Sequence, residues 1–102
     1  MPRPQIAQRT YHLSSYMLFY ECIAALGHMR ARIEAEDNER GTIVATIGEG
    51  VLAPSSELSL QLTPIDAERT ELSAVWRARA WGGDRGLLAA FLQLLDSSVS
   101  RR

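Results

Sequence analysis

Residues 29–48 read MRARIEAEDNERGTIVATIG, and this stretch decides the fold class. Met29, Ala31, Ile33 and Ala35 alternate with Arg30, Arg32, Glu34 and Glu36. A period of two gives a strand one buried and one wet face. DNERG, residues 37–41, is a polar stretch ending in glycine, so Thr42–Gly48 is expected to return as an antiparallel neighbour. A hairpin with a single apolar face needs a second layer to cover it.

Beyond the hairpin, GEGVLAPSS (48–56) reads as the longest loop. Leu58, Leu60 and Leu62 alternate again, and that strand is expected to stop at Pro64. IDAERT (65–70) turns the chain, and Leu72, Ala74, Trp76 and Ala78 define the last strand. After it, Leu88, Phe91, Leu92 and Leu95 follow helical spacing, with Gln93 and Asp96 on the wet side. Before the hairpin, Ile6–Leu13 reads as a first strand, and Ser14 and Ser15 offer hydroxyls to cap a helix. From Tyr16 to Leu26 the apolar set Phe19, Cys22, Ile23 and Leu26 marks that helix, and Gly27 is expected as its left-handed terminator. The order is β-α-β-β-β-β-α. An α+β domain follows: a five-stranded antiparallel sheet with both helices packed on one face. Residues 1–102 are expected to form one domain, frayed at 1–5 and 97–102.

The 102 residues are 46% hydrophobic, enough for one core without a disulfide or metal staple. Cys22 is the single cysteine, which suits a reducing compartment, and a cytoplasmic location is expected. The opening MPRPQIAQRT has no apolar signal core. The run Tyr16–Leu26 is interrupted by Glu21 and falls short of the ~20 residues that span a bilayer, so no membrane partner is expected. Eleven basic residues, all arginine, stand against twelve acidic ones for a net charge of −1. That balance argues against nucleic acid as a partner.

The element order resembles the helix-grip arrangement, in which a curved antiparallel sheet wraps a C-terminal helix. Three local features accompany it: the helix ending Leu26-Gly27, the strand TIVATI, and the G-D-x-G turn at 83–86 before the last helix. The likeness is to small members, the BamC-type domains and short bacterial families similar to them. The resemblance implies an interaction module with no catalytic residues to carry over. The larger START-type members bind apolar ligands between sheet and helix, so a small cavity lined by Trp76 and Phe91 is the corresponding expectation.

WGGDRG (81–86) is the stretch most like a functional motif. A phosphate loop needs G-x-x-x-x-G-K-S/T, and the chain has no lysine. Asp84, expected as the helix N-cap, would occupy the amides that an anion needs. The glycines therefore turn a corner. His12 and His28 flank the first helix without further ligands at metal-binding spacing, so neither metal nor cofactor is expected. Cys22 lies on the apolar helix face, where cysteine is an inert small hydrophobe. Glu49, between two glycines, is read as a solvated loop residue, and no catalytic constellation emerges.

Arg30, Arg32, Arg77 and Arg79 all take outward strand positions, a candidate patch for an acidic partner. Glu34, Glu36, Glu57 and Glu71 share that face, so cross-strand ion pairing competes with it. The first helix carries surplus apolar surface. Met17, Leu18, Ala24 and Ala25 lie opposite its core face, with Glu21 the one charge. Met17, Leu18, Glu21 and Ala25 are therefore the expected surface for a homodimer or another protein partner. Two readings follow: a non-enzymatic, self-associating interaction domain, or a carrier of a small apolar ligand held between the sheet and the C-terminal helix.

Overall fold

The structure is a computed structural model and describes residues 4–48, 56–77 and 86–102. The elements are β1 (Gln5–Tyr11), α1 (Ser15–His28), β2 (Arg32–Asp37), β3 (Thr42–Ile47), β4 (Ser56–Asp66), β5 (Arg69–Arg77) and α2 (Leu87–Ser100). All five strands form one antiparallel sheet in the order β1-β5-β4-β3-β2. The sequence-predicted order of elements and the α+β class both hold.

The three inner strands owe their places to alternation. Ile43, Ala45 and Ile47 of β3 are buried, as are Leu58, Leu60 and Leu62 of β4 and Leu72, Ala74 and Trp76 of β5. Register aligns these rows, with Ile43 opposite Leu60 and Leu60 opposite Ala74. They share one face, and the helices supply Leu18, Phe19, Cys22, Leu26, Phe91 and Leu95 to the same core. Gly41 closes the β2–β3 turn at φ 69°, and its carbonyl accepts from the Leu62 amide at 2.7 Å. A Cβ there would collide with the Leu62 carbonyl, so the close approach to β4 requires glycine.

Four boundaries depart from expectation. The fourth strand runs through Pro64 to Asp66, where a register shift absorbs the missing amide and leads into the Ala67-Glu68 turn. In β2 a bulge between Ile33 and Ala35 switches the faces. Ile33 pairs with inward Ala45, whereas Ala35 pairs with Val44 and is exposed. The helix α1 passes through Gly27 and ends one residue later, at His28, with Met29 as its C-cap. Arg30, at φ 57°, is the left-handed residue, and the Ala31 and Arg30 amides close on the Leu26 and Gly27 carbonyls at 3.0 Å each. This Schellman ending continues the chain with Ala31 packed against the core, so tertiary contact outweighs glycine's local preference. Finally, α2 continues to Ser100 instead of fraying from Ser97, because its last turn is anchored on α1.

That anchor also corrects the expected partner surface. Leu18 and Ala25 are buried, and the Glu21 carboxylate accepts from Ser98 Oγ and from Arg102 Nη2 at 2.8 Å. The side of α1 that looked surplus is covered by α2 within the same chain. Of the four residues expected there, Met17 remains exposed. Among the described residues, no helix is long and apolar enough to cross a membrane.

Candidate functional site

The edge strand β1 breaks the apolar rule of the sheet. Gln5, Ala7, Arg9 and Tyr11 stand opposite Trp76, Ala74, Leu72 and Thr70, so they occupy the inward, helix-facing row. Two of these four side chains are polar or charged along their whole working end. The large aliphatic residue of the strand, Ile6, points outward and is 66% exposed. Polar groups on the face that meets a helix must find partners or water. Here they find partners on α2 and line a cleft between β1 and α2.

The cleft measures about 410 Å³. Gln5 and Arg9 form its strand wall. On the helix side, Leu88, Leu92 and Asp96 make one row at i, i+4 spacing, and Ala89, Gln93 and Ser97 make the next. One end of the cleft is therefore aliphatic and the other polar. At the polar end Tyr11 Oη donates to Asp96 Oδ1 at 2.7 Å, while Arg9 Nη1 stands 3.6 Å from Asp96 Oδ2. Burial raises the Tyr11 hydroxyl above the ordinary phenol range, and the bond to Asp96 raises it further. Tyr11 thus stays protonated and serves as a donor. The Arg9–Asp96 pair is half-exposed, 51% and 47%, and too long for a tight hydrogen bond, leaving its charges available to a third group.

A second cleft, of about 430 Å³, lies near the start of α1, between His12–Ser14 with Met17 and the β4–β5 turn, Asp66–Arg69. Three of its polar side chains, Ser14, Asp66 and Arg69, are already engaged. Ser14 Oγ accepts from the Met17 amide at 3.3 Å, and Asp66 holds Arg69 at 2.8 Å and the Glu68 amide at 2.9 Å. These donors hold the Asp66 carboxyl below the usual range.

Other sequence candidates separate. Trp76 and Phe91, expected to line a cavity, are buried in the packed core and line neither cleft. Cys22 is fully buried, and desolvation pushes its thiol up to about 12, which removes it as a nucleophile. His12 and His28 stand at opposite ends of α1, and no group of three His, Cys, Asp or Glu among the described residues could hold a metal. The arginine patch does not assemble. Arg32 lies on edge strand β2 with Glu34 at 3.4 Å, Arg77 lies on β5 two strands beyond β3, and Arg30 is at the helix end. Arg79, Ala78, Glu49 and most of WGGDRG lie outside the described residues. The N-cap of α2 is Gly86, so the cap expected of Asp84 falls two residues early.

Gln5, Arg9 and Tyr11 were missed as site residues, and Asp96 was read only as solvated. Their signal was a negative one: a strand-length segment, QIAQRTY, whose alternation places polar groups where its neighbours place aliphatic ones.

No family model matches the chain, and no curated protein matches it. Solved structures do. The crystal structure of Ara h 8.0201 superposes with a TM-score of 0.65 at 10% identity, covering 98% of this chain and 99% of that one. The Zhui aromatase/cyclase from Streptomyces sp. R1128 gives 0.64 at 17% identity, covering 98% and 94%. The di-domain aromatase/cyclase StfQ of the steffimycin biosynthetic pathway gives 0.69 at 12% identity, over 95% of this chain and 44% of that one. These likenesses show a helix-grip fold. They do not support the BamC-type branch of the sequence resemblance. The expectation of a non-enzymatic domain is also overturned, since Zhui, which shares this fold along nearly its whole length, is an aromatase/cyclase.

Proposed function

We propose that this chain binds a small, mainly apolar ring compound carrying one carbonyl or hydroxyl group, in the cleft between β1 and α2. The observation that carries this reading is the polar inward row of β1 facing an aliphatic helix wall. A volume of about 410 Å³ suits a molecule of this class. The rings would lie on Leu88, Ala89 and Leu92, and the oxygen would meet the Arg9 guanidinium. The helix-grip likeness supports a domain in which sheet and helix meet along such a seam, since two of the similar chains share the fold over nearly their whole length.

The probe for this reading is 2-tetralone, a bicyclic ketone. Titration should give saturable one-to-one binding. Ala89→Phe, a change on the exposed helix surface that fills the cleft and leaves the core alone, should weaken it by tenfold or more. Binding that is absent, or indifferent to Ala89→Phe, overturns the proposal.

Turnover of the bound compound is a second reading, favoured by the cation, carboxylate and phenol joined at one end of the cleft. The Asp96 carboxylate would take a proton from the carbon beside the carbonyl. The C–H pair would become the new C=C bond, and the carbonyl π pair would move to oxygen against Arg9. Aromatase/cyclase is the activity printed for two of the neighbours, and enolisation of a ketone is a step such chemistry can use. Bound 2-tetralone in heavy water should then exchange deuterium at that carbon faster with the native chain than with Asp96→Asn. Equal rates would leave binding without turnover.

A further inference from the structure

The outer face of α1 carries no aspartate, glutamate, lysine or arginine, and it ends at the neutral imidazole of His28. Tyr16, Met17, Tyr20, Ala24 and Gly27 are exposed, and Ile23 is half-buried among them. They fall within one broad arc of the helix. Tyr16 and Tyr20 are 63% and 51% exposed, and their rings meet edge to face at 5.2 Å, with Phe19 bracing Tyr20 at 5.5 Å. Rigid, exposed aromatic knobs of this kind supply contact area at low entropic cost.

Gly27 is the second observation. It lies inside the helix, and the left-handed ending belongs to Arg30. A Cβ at Gly27 would meet nothing within 4 Å. No contact within the described residues calls for glycine, although glycine weakens a helix relative to alanine. Close approach by something outside the chain would call for it.

We propose that this face pairs with a second copy of the chain, the two α1 helices crossing antiparallel about a twofold axis near Glu21–Cys22. Among its exposed residues the arc is large at the N-terminal half (Tyr16, Met17, Tyr20) and small at Ala24 and Gly27, so antiparallel pairing sets Tyr20 against the partner's Ala24 and Met17 against the partner's Gly27. A twofold interface must be self-complementary in this way. Charge agrees with size. Met17 shares a cleft with the neutral His12 and the β4–β5 turn, where Asp66, Glu68 and Arg69 sum to −1, while the other end of the helix carries the neutral His28 and the positive Arg30. Antiparallel pairing brings the acidic end of one copy to the basic end of the other. The parallel arrangement would set like against like.

One helix face is smaller than the ~800 Å² per partner of a standard interface, so the dimer should be weak. Sedimentation velocity on the full chain from micromolar to near-millimolar concentration tests it. The native chain should show a concentration-dependent shift from monomer to dimer. Gly27→Gln should raise the dissociation constant at least tenfold while circular dichroism and thermal midpoint show an intact fold, and Tyr20→Ser should do likewise. Arg30→Glu should weaken the dimer, and adding Glu68→Arg should restore it. A chain that stays monomeric throughout, or a dimer indifferent to Gly27→Gln and Tyr20→Ser, overturns the proposal. No residue of this face lines the β1–α2 cleft, so its failure leaves the ligand reading standing.

Discussion

The helix α2 meets the rest of the chain along two seams, and an acid stands in each. On the α1 side, Glu21 is 13% exposed and its carboxylate is taken up by Ser98 and Arg102. On the β1 side, Asp96 is 47% exposed, with Tyr11 at hydrogen-bond distance and Arg9 further off. The first arrangement is a latch. The flanking Leu18 and Ala25 are buried, and the acid's bonding capacity is spent on α2. The second is an open hinge of charge beside a cleft. Both unite an acid with an arginine, so the residue types alone do not distinguish a structural pair from a site. Packing around them does: aliphatic neighbours close one seam, and the polar row of an edge strand keeps the other open.

Breaking the latch should have the larger effect on stability. Glu21→Gln keeps the volume but removes the charge that both donors seek, and should lower stability by roughly 1 kcal/mol at neutral pH. Its pH dependence gives the sign. The hydrogen bond from Ser98 and then that from Arg102 hold the Glu21 carboxyl below its ordinary 4.5. A depressed folded value stabilises the chain above the unfolded value and fades as pH falls through the folded one. Denaturation followed by circular dichroism should therefore show the native chain ahead of Glu21→Gln at pH 7. Below about pH 4.5 the gap should narrow. A constant gap across that range would mean that Glu21 acts by packing and not by charge.

The two seams were unequally legible. Leu18 and Ala25 announced an apolar side of α1, but sequence periodicity cannot say whether a neighbouring copy or the chain's own α2 covers it. Glu21 held the clue, being an acid within that side, and its partners Ser98 and Arg102 lay in a tail expected to fray. The inner strands were readable because Ile43, Leu60 and Leu72 recur with their inward neighbours at a period of two, between outward rows that are polar except at Val44 and Val75. The same rule hid the site. In β1 the aliphatic Ile6 points away from the helices, and Gln5 and Arg9 point toward them, which reads from sequence as an indifferent strand. The end of α1 misled for a related reason. Gly27 has the local preference of a terminator, yet placing Met29 and Ala31 against the core delayed the stop to Arg30.

The open seam should answer mutation in binding while barely moving stability. Arg9→Gln removes a half-exposed partner from a 3.6 Å pair, a loss within about 0.5 kcal/mol. In the cleft the same change withdraws the cation that faces a ligand oxygen. It should therefore weaken 2-tetralone several-fold and leave tetralin, the same rings without the carbonyl, unchanged. Calorimetric titration of both compounds separates the possibilities. Equal losses for the two would make Arg9 a wall of the cleft, and no loss for either would return the Arg9–Asp96 pair to the class of ordinary surface ion pairs. A selective loss would show that the long Arg9–Asp96 distance matters because it leaves the guanidinium free to turn toward a guest, which the fully engaged Glu21 carboxylate across α2 is not free to do.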